Sequence, residues 1–422
     1  MSADSYPHCV PLLTDGTVTL RAHRASDIPR IVQTCNDPEA LRWTVVPRPY
    51  DEPEARVFLQ LIEDSWTDAS AEVADARWFW AITRTDEDTF LGTVEIRRTG
   101  GGGADVSFGL HAGARGAGVM SRATRLAMAY AAQTGVDTLR WQAYAGNWSS
   151  RRVAWACGFT HEGTLRGSLP RLADDGSRAR DVDGWEASWR AGEPIEPVHP
   201  WYEPPDHRVE AADGVRVRLR PWRDDDGRRL PSERDPESWH RLGAWVPTSA
   251  NFLELWDAWR EDMALGQRIV WCLADPATDA PRGGLHLFGI DRVRRPGTAE
   301  ILAFVLPSGR GRGLFAAALP AVLDHAFTAT ERGGMGLARV KSLADVDNHG
   351  SVRSMLRGGM TLTGWTRGDR PDRRAGREGD HVDMVQFEVL ATDDRPAISR
   401  ANAAAGHGIQ ALLAARVQHL RC

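Results

Sequence analysis

The two halves of this chain repeat one another, and no other feature of the sequence constrains its fold as strongly. Matching residues keep their order while the loops between them vary in length, as expected for two copies of one domain. At 422 residues the chain is long enough for two domains of about 200 residues each. The sequence therefore predicts a tandem duplication. Its paired segments are Asp15-Gly16 with Asp213-Gly214, Leu20-Arg21 with Leu219-Arg220, Arg24 with Arg223, Asp27 with Asp226, Asp37-Pro38-Glu39 with Asp235-Pro236-Glu237, Val46-Pro47 with Val246-Pro247, and Trp80-Ala81-Ile82 with Trp271-Cys272-Leu273.

A proline-rich segment separates the two copies. Prolines at this density fix φ and remove amide donors, which suits an extended linker better than a helix or a central strand. We therefore predict a first domain at 1–190, a linker at 191–207 and a second domain at 208–395.

The end of the chain has the pattern of an amphipathic helix. Apolar residues between Ile409 and Leu420 fall at helical spacing, so we predict a C-terminal helix within 396–422. We expect this helix to pack on its own domain rather than to bind a partner.

Each copy shows the same order of strands and helices. Alternating or apolar runs predict the strands, and the helices follow glycine-rich turns or, after Asp27 and Asp226, an aspartate cap. The predicted strands are residues 18–21, 78–83, 92–97 and 106–110 in the first copy and 215–220, 270–274, 284–290 and 300–306 in the second, and the helices after the glycine-rich turns are 121–133 and 314–327.

Composition argues against several classes of protein. No apolar run reaches the roughly 18 residues that a spanning helix needs, and the N-terminus lacks the pattern of a secretory signal. The five cysteines are scattered with no pair at metal-binding or redox spacing, which predicts free thiols in a reducing compartment. A net charge of -5 gives no general footprint for nucleic acid. We expect a cytoplasmic protein that binds neither membranes nor nucleic acid and needs no metal; the oligomeric state stays open.

In each copy an apolar strand runs into a glycine-rich turn that opens a helix. Such a turn suits an anion, because its amides converge, glycine permits close backbone approach, and the helix dipole adds positive potential. Alone, the pattern is a weak indication of phosphate binding. The turns comprise Arg115, Gly116, Ala117, Gly118, Val119 and Met120 in the first copy and Arg310, Gly311, Arg312, Gly313, Leu314 and Phe315 in the second.

A second pattern recurs downstream of both turns. Asn147 and Ser150 precede a helical run in the first copy, as Asn348 and Ser351 do in the second. One interpretation is that these residues only cap a helix. A cap accounts for one polar residue at one spacing, but not for the recurrence of the same pair behind both glycine-rich turns.

Together these patterns resemble those of the GCN5-related N-acetyltransferase (GNAT) family. The turns are similar to its Arg/Gln-x-x-Gly-x-Gly/Ala signature, which cradles the coenzyme A pyrophosphate, and depart from it at the last position, where Met120 and Phe315 replace a small residue. Asn147 and Asn348 match the asparagine that holds the pantetheine arm. The resemblance implies an α/β (α+β) fold with two tandem domains, each a mixed, mostly antiparallel twisted sheet flanked by helices. It also implies acetyl-CoA as co-substrate.

One subgroup is the most similar. Residues 166–183 and 367–383 resemble the variable hairpin and last strand of the members that acetylate protein N-terminal amines, the ribosomal-protein type. The implied activity is acyl transfer to an amine of a protein, a peptide or a small molecule.

The implied chemistry assigns four catalytic candidates. A free amine with a pKa near 8 to 10 must lose a proton before it attacks a thioester, so a general base is needed. In some family members the base is a glutamate on the strand that precedes the one leading into the glycine-rich turn, which matches Glu95; the aligned residue in the second copy is His286. A polar residue facing solvent is an equally good interpretation of either position. The motif serine protonates the leaving thiolate in the subgroup, which assigns Ser150 and Ser351 as general acids.

Two further hypotheses remain open. In the first, one copy is degenerate and has a structural or ligand-binding role, binding coenzyme or acceptor without catalysis. Alternatively, the turns belong to a nucleotide-binding protein. That class needs a lysine-bearing phosphate loop or an acidic residue about 20 positions past a dinucleotide turn, whereas Lys341 is the only lysine and Asp137 only a weak match.

Overall fold

The computed structural model describes residues 5–6, 9–67, 76–291, 296–374, 376–377 and 379–405, with side chains from residue 9 onward. The chain divides into two compact units, Met1–Val198 (unit 1) and His199–Cys422 (unit 2), and this division falls inside the proline-rich segment 191–207. The domain limits given above stay predictions. Among the described residues, no helix is both long and apolar enough to cross a membrane.

Unit 1 is a mixed sheet with helices on its faces. Its main sheet has eight strands in the order β2-β3-β5-β6-β7-β8-β10-β9, and every neighbouring pair is antiparallel except β7 with β8. The strands are β1 (Ser5–Tyr6), β2 (Leu13–Thr14), β3 (Val18–Arg21), β4 (His23–Arg24), β5 (Arg77–Arg84), β6 (Gly92–Gly100), β7 (Gly103–Leu110), β8 (Thr138–Tyr144), β9 (Thr160–Leu169) and β10 (Val182–Arg190). The helices are α1 (Ile28–Cys35), α2 (Pro38–Trp43), α3 (Glu52–Thr67), α4 (Val119–Gln133) and α5 (Trp148–Ala156).

Unit 2 repeats this plan. Its eight strands have the order β11-β12-β13-β14-β15-β16-β18-β17, and the parallel pair is β15 with β16. The strands are β11 (His207–Glu210), β12 (Arg216–Arg220), β13 (Ile269–Ala274), β14 (Pro281–Asp291), β15 (Thr298–Val305), β16 (Arg339–Asp345), β17 (Thr361–Pro371) and β18 (His381–Leu390). The helices are α6 (Pro236–Leu242), α7 (Phe252–Ala264), α8 (Leu314–Phe327) and α9 (His349–Arg357).

The predicted fold class is confirmed, and each predicted strand is present within a few residues of its expected limits. The helix expected after Asp226 is wrong: residues Asp224–Arg229 form a 3-10 turn instead. The predicted C-terminal helix lies mostly outside the described residues. Residues 395–405 are helical, and its apolar positions from Ile409 onward are not among those described.

A buried ion pair fixes the start of each unit and explains part of the repeat. The Arg21 guanidinium donates two hydrogen bonds to Asp27 at 2.8 and 2.9 Å, and Arg220 donates two to Asp226, both at 2.8 Å. The Arg220 and Asp226 side chains are completely buried. Asp27 and Asp226 also each accept a hydrogen bond from the amide of the arginine three residues earlier, Arg24 or Arg223. Although these contacts are the same, α1 follows Asp27 directly and a 3-10 turn surrounds Asp226.

The first prediction concerns this pair in unit 2. Asp226→Asn leaves the buried Arg220 charge with only Asp279 as a carboxylate partner, so we expect the free energy of unfolding to fall by about 3 kcal/mol. Asp225→Asn, in the same turn but with an exposed carboxylate, is expected to cost less than about 1 kcal/mol. Urea unfolding followed by tryptophan fluorescence measures both. Equal losses for the two variants would contradict the role given to the buried pair.

Candidate active site

The two parallel strands of each sheet pair only over their first half. In unit 1 the pairing of β7 with β8 runs from Gly103 with Thr138 to Val106 with Trp141, after which β7 continues beside β6 and β8 beside β10. In unit 2 the pairing of β15 with β16 ends at Glu300 with Lys341. The strands therefore diverge towards their carboxyl ends. The backbone groups along this opening are left for a ligand or for water, because buried backbone groups require partners.

A glycine-rich turn connects the first diverging strand to a helix in both units. Gly118 and Gly313 precede α4 and α8 directly, each with a φ of 71°, and Gly116 and Gly311 also have positive φ. A Cβ added at Gly118 would meet no heavy atom within 4 Å, so the turn faces open space. The first amides of an α-helix have no partner within the helix, and here they adjoin that space.

Met120 and Phe315 are almost fully buried, and Phe315 also lines the cavity of unit 2. They are 5% and 7% exposed and belong to the hydrophobic cores of their units. Val119 and Leu314 are buried beside them, whereas the residues of each turn before the helix are exposed. The departure from the family signature is thus accommodated on the inner face of the helix. The exposed residues are Arg115, Gly116, Ala117 and Gly118 in unit 1 and Arg310, Gly311, Arg312 and Gly313 in unit 2.

The arginine of each turn is tied to another helix. Arg115 donates to the Asp37 carboxylate at 2.6 Å, and Arg310 donates to Asp235 at 2.7 Å and to the Ser238 hydroxyl at 2.8 Å. Asp37 and Asp235 cap α2 and α6, which explains why the Asp-Pro-Glu segment recurs. Burial alone would raise the pKa values of Asp37 and Asp235. The hydrogen bonds from each arginine and from the helix amides outweigh this effect and hold both pKa values below their usual range.

Each motif asparagine caps the helix that follows it. The Ser150 amide donates to Asn147 Oδ1 at 3.2 Å, and the Ser351 amide donates to Asn348 Oδ1 at 3.1 Å. The interpretation that the motif asparagines cap a helix is therefore correct. A cap uses only the Oδ1 atom, and the Nδ2 atoms donate to none of the described residues. Capping and ligand binding are compatible at these positions.

The motif serines have different surroundings in the two units. In unit 1 the buried Trp141 indole donates to Ser150 Oγ at 3.1 Å, which leaves the hydroxyl proton of Ser150 free to be donated. Ser342 occupies the matching position on β16, and its hydroxyl donates to the Ile301 carbonyl at 3.1 Å. Ser351 lines the cavity described below. Sequence reasoning missed Trp141, because only the register of β8 shows that its ring reaches α5.

Glu95 is connected to the opening through a serine. Its carboxylate accepts hydrogen bonds from Arg77 Nε at 2.6 Å and from Ser107 Oγ at 2.7 Å, and its side chain is 13% exposed. Ser107 is exposed and is the first residue of β7 beyond the last pair with β8. The carboxylate therefore reaches the opening by way of one hydroxyl. The sequence did not identify Arg77 or Ser107 as site residues. Their contacts with Glu95 depend on how β5, β6 and β7 pair in the sheet.

His286 occupies the matching position in unit 2 but has no such connection. It pairs with Val270 across the sheet as Glu95 pairs with Phe79, and it is completely buried. Burial, together with the nearby Arg268, lowers the pKa of His286 well below its usual value. Arg268 donates to its Nδ1 atom at 3.2 Å, and on β15 Leu302 takes the place of Ser107.

The opening in unit 2 is a cavity of about 510 Å³. The glycine-rich turn and α9 line it through Gly311, Asn348 and Ser351. α6 and the end of β16 line it through Arg241 and Asp345. The cavity is therefore bordered both by the anion-receptive turn and by charged side chains.

One group of potential metal ligands occurs in the described part of the chain: His240, Asp345 and Asp347, with ligand atoms within 4.8 Å of one another. Arg241 Nη1 lies 3.0 Å from a carboxylate oxygen of each aspartate, and Arg370 also pairs with Asp345. Guanidinium groups thus already supply the cations that these carboxylates need. The group is explained without a metal.

A sheet that opens between two parallel strands, with an anion-receptive turn at the end of one of them, is typical of an α/β protein that holds a phosphate-bearing ligand along the opening. A family model described as an acetyltransferase (GNAT) domain matches residues 17–160 and, separately, residues 216–361. These matches cover more than half of the chain, so the chain belongs to the GNAT acetyltransferase family and carries two such domains. It is an acyltransferase.

Three of the solved structures to which the chain is similar are named as follows. The ribosomal L7/L12 α-N-protein acetyltransferase RimL is 18% identical, with a TM-score of 0.37 over 43% of this chain and 96% of that one. Mycobacterium smegmatis RimJ in complex with CoA-disulfide is 20% identical, with a TM-score of 0.37 over 50% and 98%. The microcin C7 self-immunity acetyltransferase MccE, in complex with acetyl-CoA and AMP, is 16% identical, with a TM-score of 0.35 over 42% and 93%. A comparison with curated proteins found no match.

The second prediction follows from the buried state of His286. Its pKa is near 6.5 in the unfolded chain and well below that in the fold, so the unfolded state binds more protons below pH 6.5. The stability that neutral His286 contributes is therefore present above pH 6.5 and is lost as the pH falls, by up to about 1.4 kcal/mol per pH unit. Urea unfolding between pH 7 and pH 5 measures this slope. His286→Gln, which does not titrate, is expected to reduce the slope without removing it, because the buried His23, whose pKa is lowered to about 3, still contributes. An unchanged slope would show that His286 is not among the titrating groups.

Proposed function

We propose that the chain is an acetyl-CoA-dependent N-acetyltransferase that binds the coenzyme diphosphate at the glycine-rich turn of each unit. The observation that carries the proposal is the duplicated opening beside diverging strands: a Cβ added at Gly118 would meet no heavy atom within 4 Å, and one at Gly313 would meet only the Val215 side chain at 3.6 Å. Free amides at the helix starts suit the diphosphate, and the Nδ2 atoms of Asn147 and Asn348 suit the amide carbonyls of the pantetheine arm. The proposed acceptor is an amine of a protein, a peptide or a small molecule, in the cytoplasm.

In unit 1 we assign the general base to Glu95. An amine that enters the opening reaches Ser107 first, and the Ser107 hydroxyl already donates to the carboxylate at 2.7 Å. A proton that leaves the amine can pass through this hydroxyl, or a water beside it, to Glu95. Arg77 holds the carboxylate in place by a hydrogen bond of 2.6 Å.

Ser150 is the proposed general acid of unit 1. The Trp141 indole donates to its oxygen, so the remaining hydroxyl proton is the one available to a departing thiolate. A thiol has a pKa near 8.5 and is a good leaving group, so this proton transfer is expected to help moderately rather than decisively.

Unit 2 supports a second candidate function, in which it binds coenzyme or another ligand without catalysing transfer. Ser351 and the glycine-rich turn are present along its cavity. His286 is enclosed, and Leu302 stands where unit 1 has the Ser107 hydroxyl. We therefore leave His286 out of the proposed catalytic set, whereas Ser351 stays the candidate acid if unit 2 is active.

The third prediction tests coenzyme binding at the turns. Calorimetric titration with acetyl-CoA is expected to give a stoichiometry near two, falling to one in Gly118→Trp or Gly313→Trp, because the indole fills the space that receives the diphosphate. Gly135→Trp is the matched control: Gly135 lies just beyond the other end of α4, with positive φ and equally open surroundings. A stoichiometry of one in the unaltered chain would favour a degenerate unit, and none would refute the proposed function.

The fourth prediction concerns Ser150. In a chain with Gly313→Trp, so that only unit 1 acts, Ser150→Ala is expected to lower turnover about tenfold or more, with little change in acetyl-CoA affinity. Ser149→Ala, which alters an exposed serine of the same helix, is the control. A thiol-release assay gives turnover and calorimetry gives affinity. Unaltered turnover would remove Ser150 from the mechanism, and a parallel loss of affinity would indicate a binding role instead.

A further inference from the structure

Two leucines flank the opening of unit 2, one on each of the strands that separate. Leu302 and Leu343 both line the cavity. They lie two residues beyond Glu300 and Lys341, the last pair of β15 with β16. Side chains two residues apart on a strand share a face, so both leucines lie on the face of the sheet that carries Glu300 and Lys341.

The register of the sheets identifies the counterparts of these leucines in unit 1. Counting along the strands from the first parallel pair of each unit matches Ser107 with Leu302 and Gln142 with Leu343. Ser107 and Gln142 are the first residues beyond the last pair of β7 with β8, and both are exposed. Both positions beside the opening are therefore polar in unit 1 and apolar in unit 2.

A third position on the same face differs in the same way. Phe288 on β14 pairs with Glu300, and Arg97 on β6 pairs with Asp105. Paired residues on neighbouring strands share a face. Arg97 donates to the Asp105 carboxylate at 2.7 Å. Phe288 instead lines the cavity, and its ring lies 5.9 Å from that of Trp245. An arginine of unit 1 is thus replaced by an aromatic ring in unit 2.

The charged groups beside this apolar surface are already paired. Glu300 also lines the cavity, and its carboxylate lies 3.6 Å from the Lys341 ammonium group. The Asp345 carboxylate, at the end of β16, pairs with two guanidinium groups. Leu343, by contrast, is 41% exposed. What this face of the sheet offers to a ligand beside the separating strands is therefore hydrocarbon.

The proposed coenzyme site brings a thioester to this surface. With the diphosphate at the turn that follows β15, the pantetheine arm extends into the opening, towards the point where β15 and β16 begin to separate. The sulfur at the end of the arm then comes nearest to the residues just beyond the last pair, which include Leu302 and Leu343. The group next to these leucines is therefore the acyl group that the sulfur carries.

We propose that Phe288, Leu302 and Leu343 form an acyl-chain site, so that unit 2 takes a coenzyme A thioester with a longer apolar acyl group and unit 1 takes acetyl-CoA. The inference rests on the proposed function, because it assumes that coenzyme lies in the opening of each unit. It deepens that function by naming an acyl class for each unit. It concerns binding, and it holds whether or not unit 2 transfers the group.

An acyl chain gains free energy on this surface, whereas a protonated amine does not. Each methylene group that is fully buried strengthens binding about fourfold, so four additional methylenes that are half covered strengthen it about tenfold or more. A protonated amine would lose water there without gaining a partner, and Leu302 offers no hydroxyl to receive its proton. In unit 1 the same chain would cover the Ser107 hydroxyl and the Gln142 amide, which would then lose water.

The experiment measures one unit at a time in the full chain. Gly118→Trp leaves unit 2 open and Gly313→Trp leaves unit 1 open. Calorimetry gives the dissociation constants of acetyl-CoA and hexanoyl-CoA without an acceptor, so no turnover is required. Unit 2 is expected to bind hexanoyl-CoA at least tenfold more tightly than acetyl-CoA. In unit 1 the two constants are expected to differ by less than threefold.

Exchange of the side chains tests whether these residues cause the preference. Leu302→Ser with Leu343→Gln gives unit 2 the residues of unit 1 and is expected to reduce its preference for hexanoyl-CoA at least fivefold. Retained acetyl-CoA affinity shows that the variant is folded. Leu343→Gln alone is a milder second variant, expected to reduce the preference at least twofold. Leu390→Gln is the matched control, because Leu390 is 40% exposed on β18 and lies outside the described lining of the cavity.

The competing occupant of the apolar surface is an apolar acceptor, represented by hexylamine. Its dissociation constant from unit 2 is measured by ligand-observed NMR in saturating coenzyme A. The inference predicts that hexylamine binding is unaffected by Leu302→Ser with Leu343→Gln. Hexylamine binding that weakens in this variant, while unit 2 does not distinguish the two thioesters, would assign the surface to the acceptor and overturn the inference.

The acetyl-CoA titrations separate a failure of the inference from a failure of the proposed function. The inference is overturned, and the proposed function stands, if unit 1 binds acetyl-CoA but unit 2 binds both thioesters equally or binds neither. The same holds if both units prefer hexanoyl-CoA to the same degree, or if the preference of unit 2 survives the exchange. If neither unit binds a thioester, the proposed function itself fails.

Discussion

The early end of pairing between two parallel strands determines what each unit can bind. Because β7 and β8 separate after Val106 and Trp141, backbone groups that a closed sheet would consume face an opening instead. The glycine-rich turn follows β7, and the helix capped by Asn147 follows β8, so each of the two separating strands leads into one of these elements. All further chemistry in unit 1 depends on side chains that reach the opening, and unit 2 repeats the arrangement between β15 and β16.

Sequence patterns were sufficient to predict the strands and the glycine-rich turns. They were not sufficient to predict the contacts between side chains on neighbouring strands. The glycine-rich turns and α8 could be predicted because glycine at positive φ and apolar helical spacing are local signals. The 3-10 turn at Asp224–Arg229 could not, because the same aspartate and the same ion pair occur in both units although only Asp27 is followed directly by an α-helix. The same limit applies to His286: an alternating strand does not show that both of its faces are covered.

The two units have preserved their supports more closely than their reactive groups. The Arg21–Asp27 pair and the Arg115–Asp37 pair both recur in unit 2 with nearly the same distances. The chain from Arg77 through Glu95 to Ser107 does not recur: Arg268, His286 and Leu302 take those places. The ion pairs that hold the glycine-rich turn and the first strand are needed in both units. The groups that face the opening need to suit only the ligand of their own unit.

Arg370 gives the Asp345 carboxylate a second cation beside Arg241. Asp345 is almost fully buried, so a carboxylate there without a cation would destabilise unit 2. Arg370 on β17 bonds Asp345 independently of α6. The sheet therefore keeps this carboxylate paired even where α6 moves away from the end of β16.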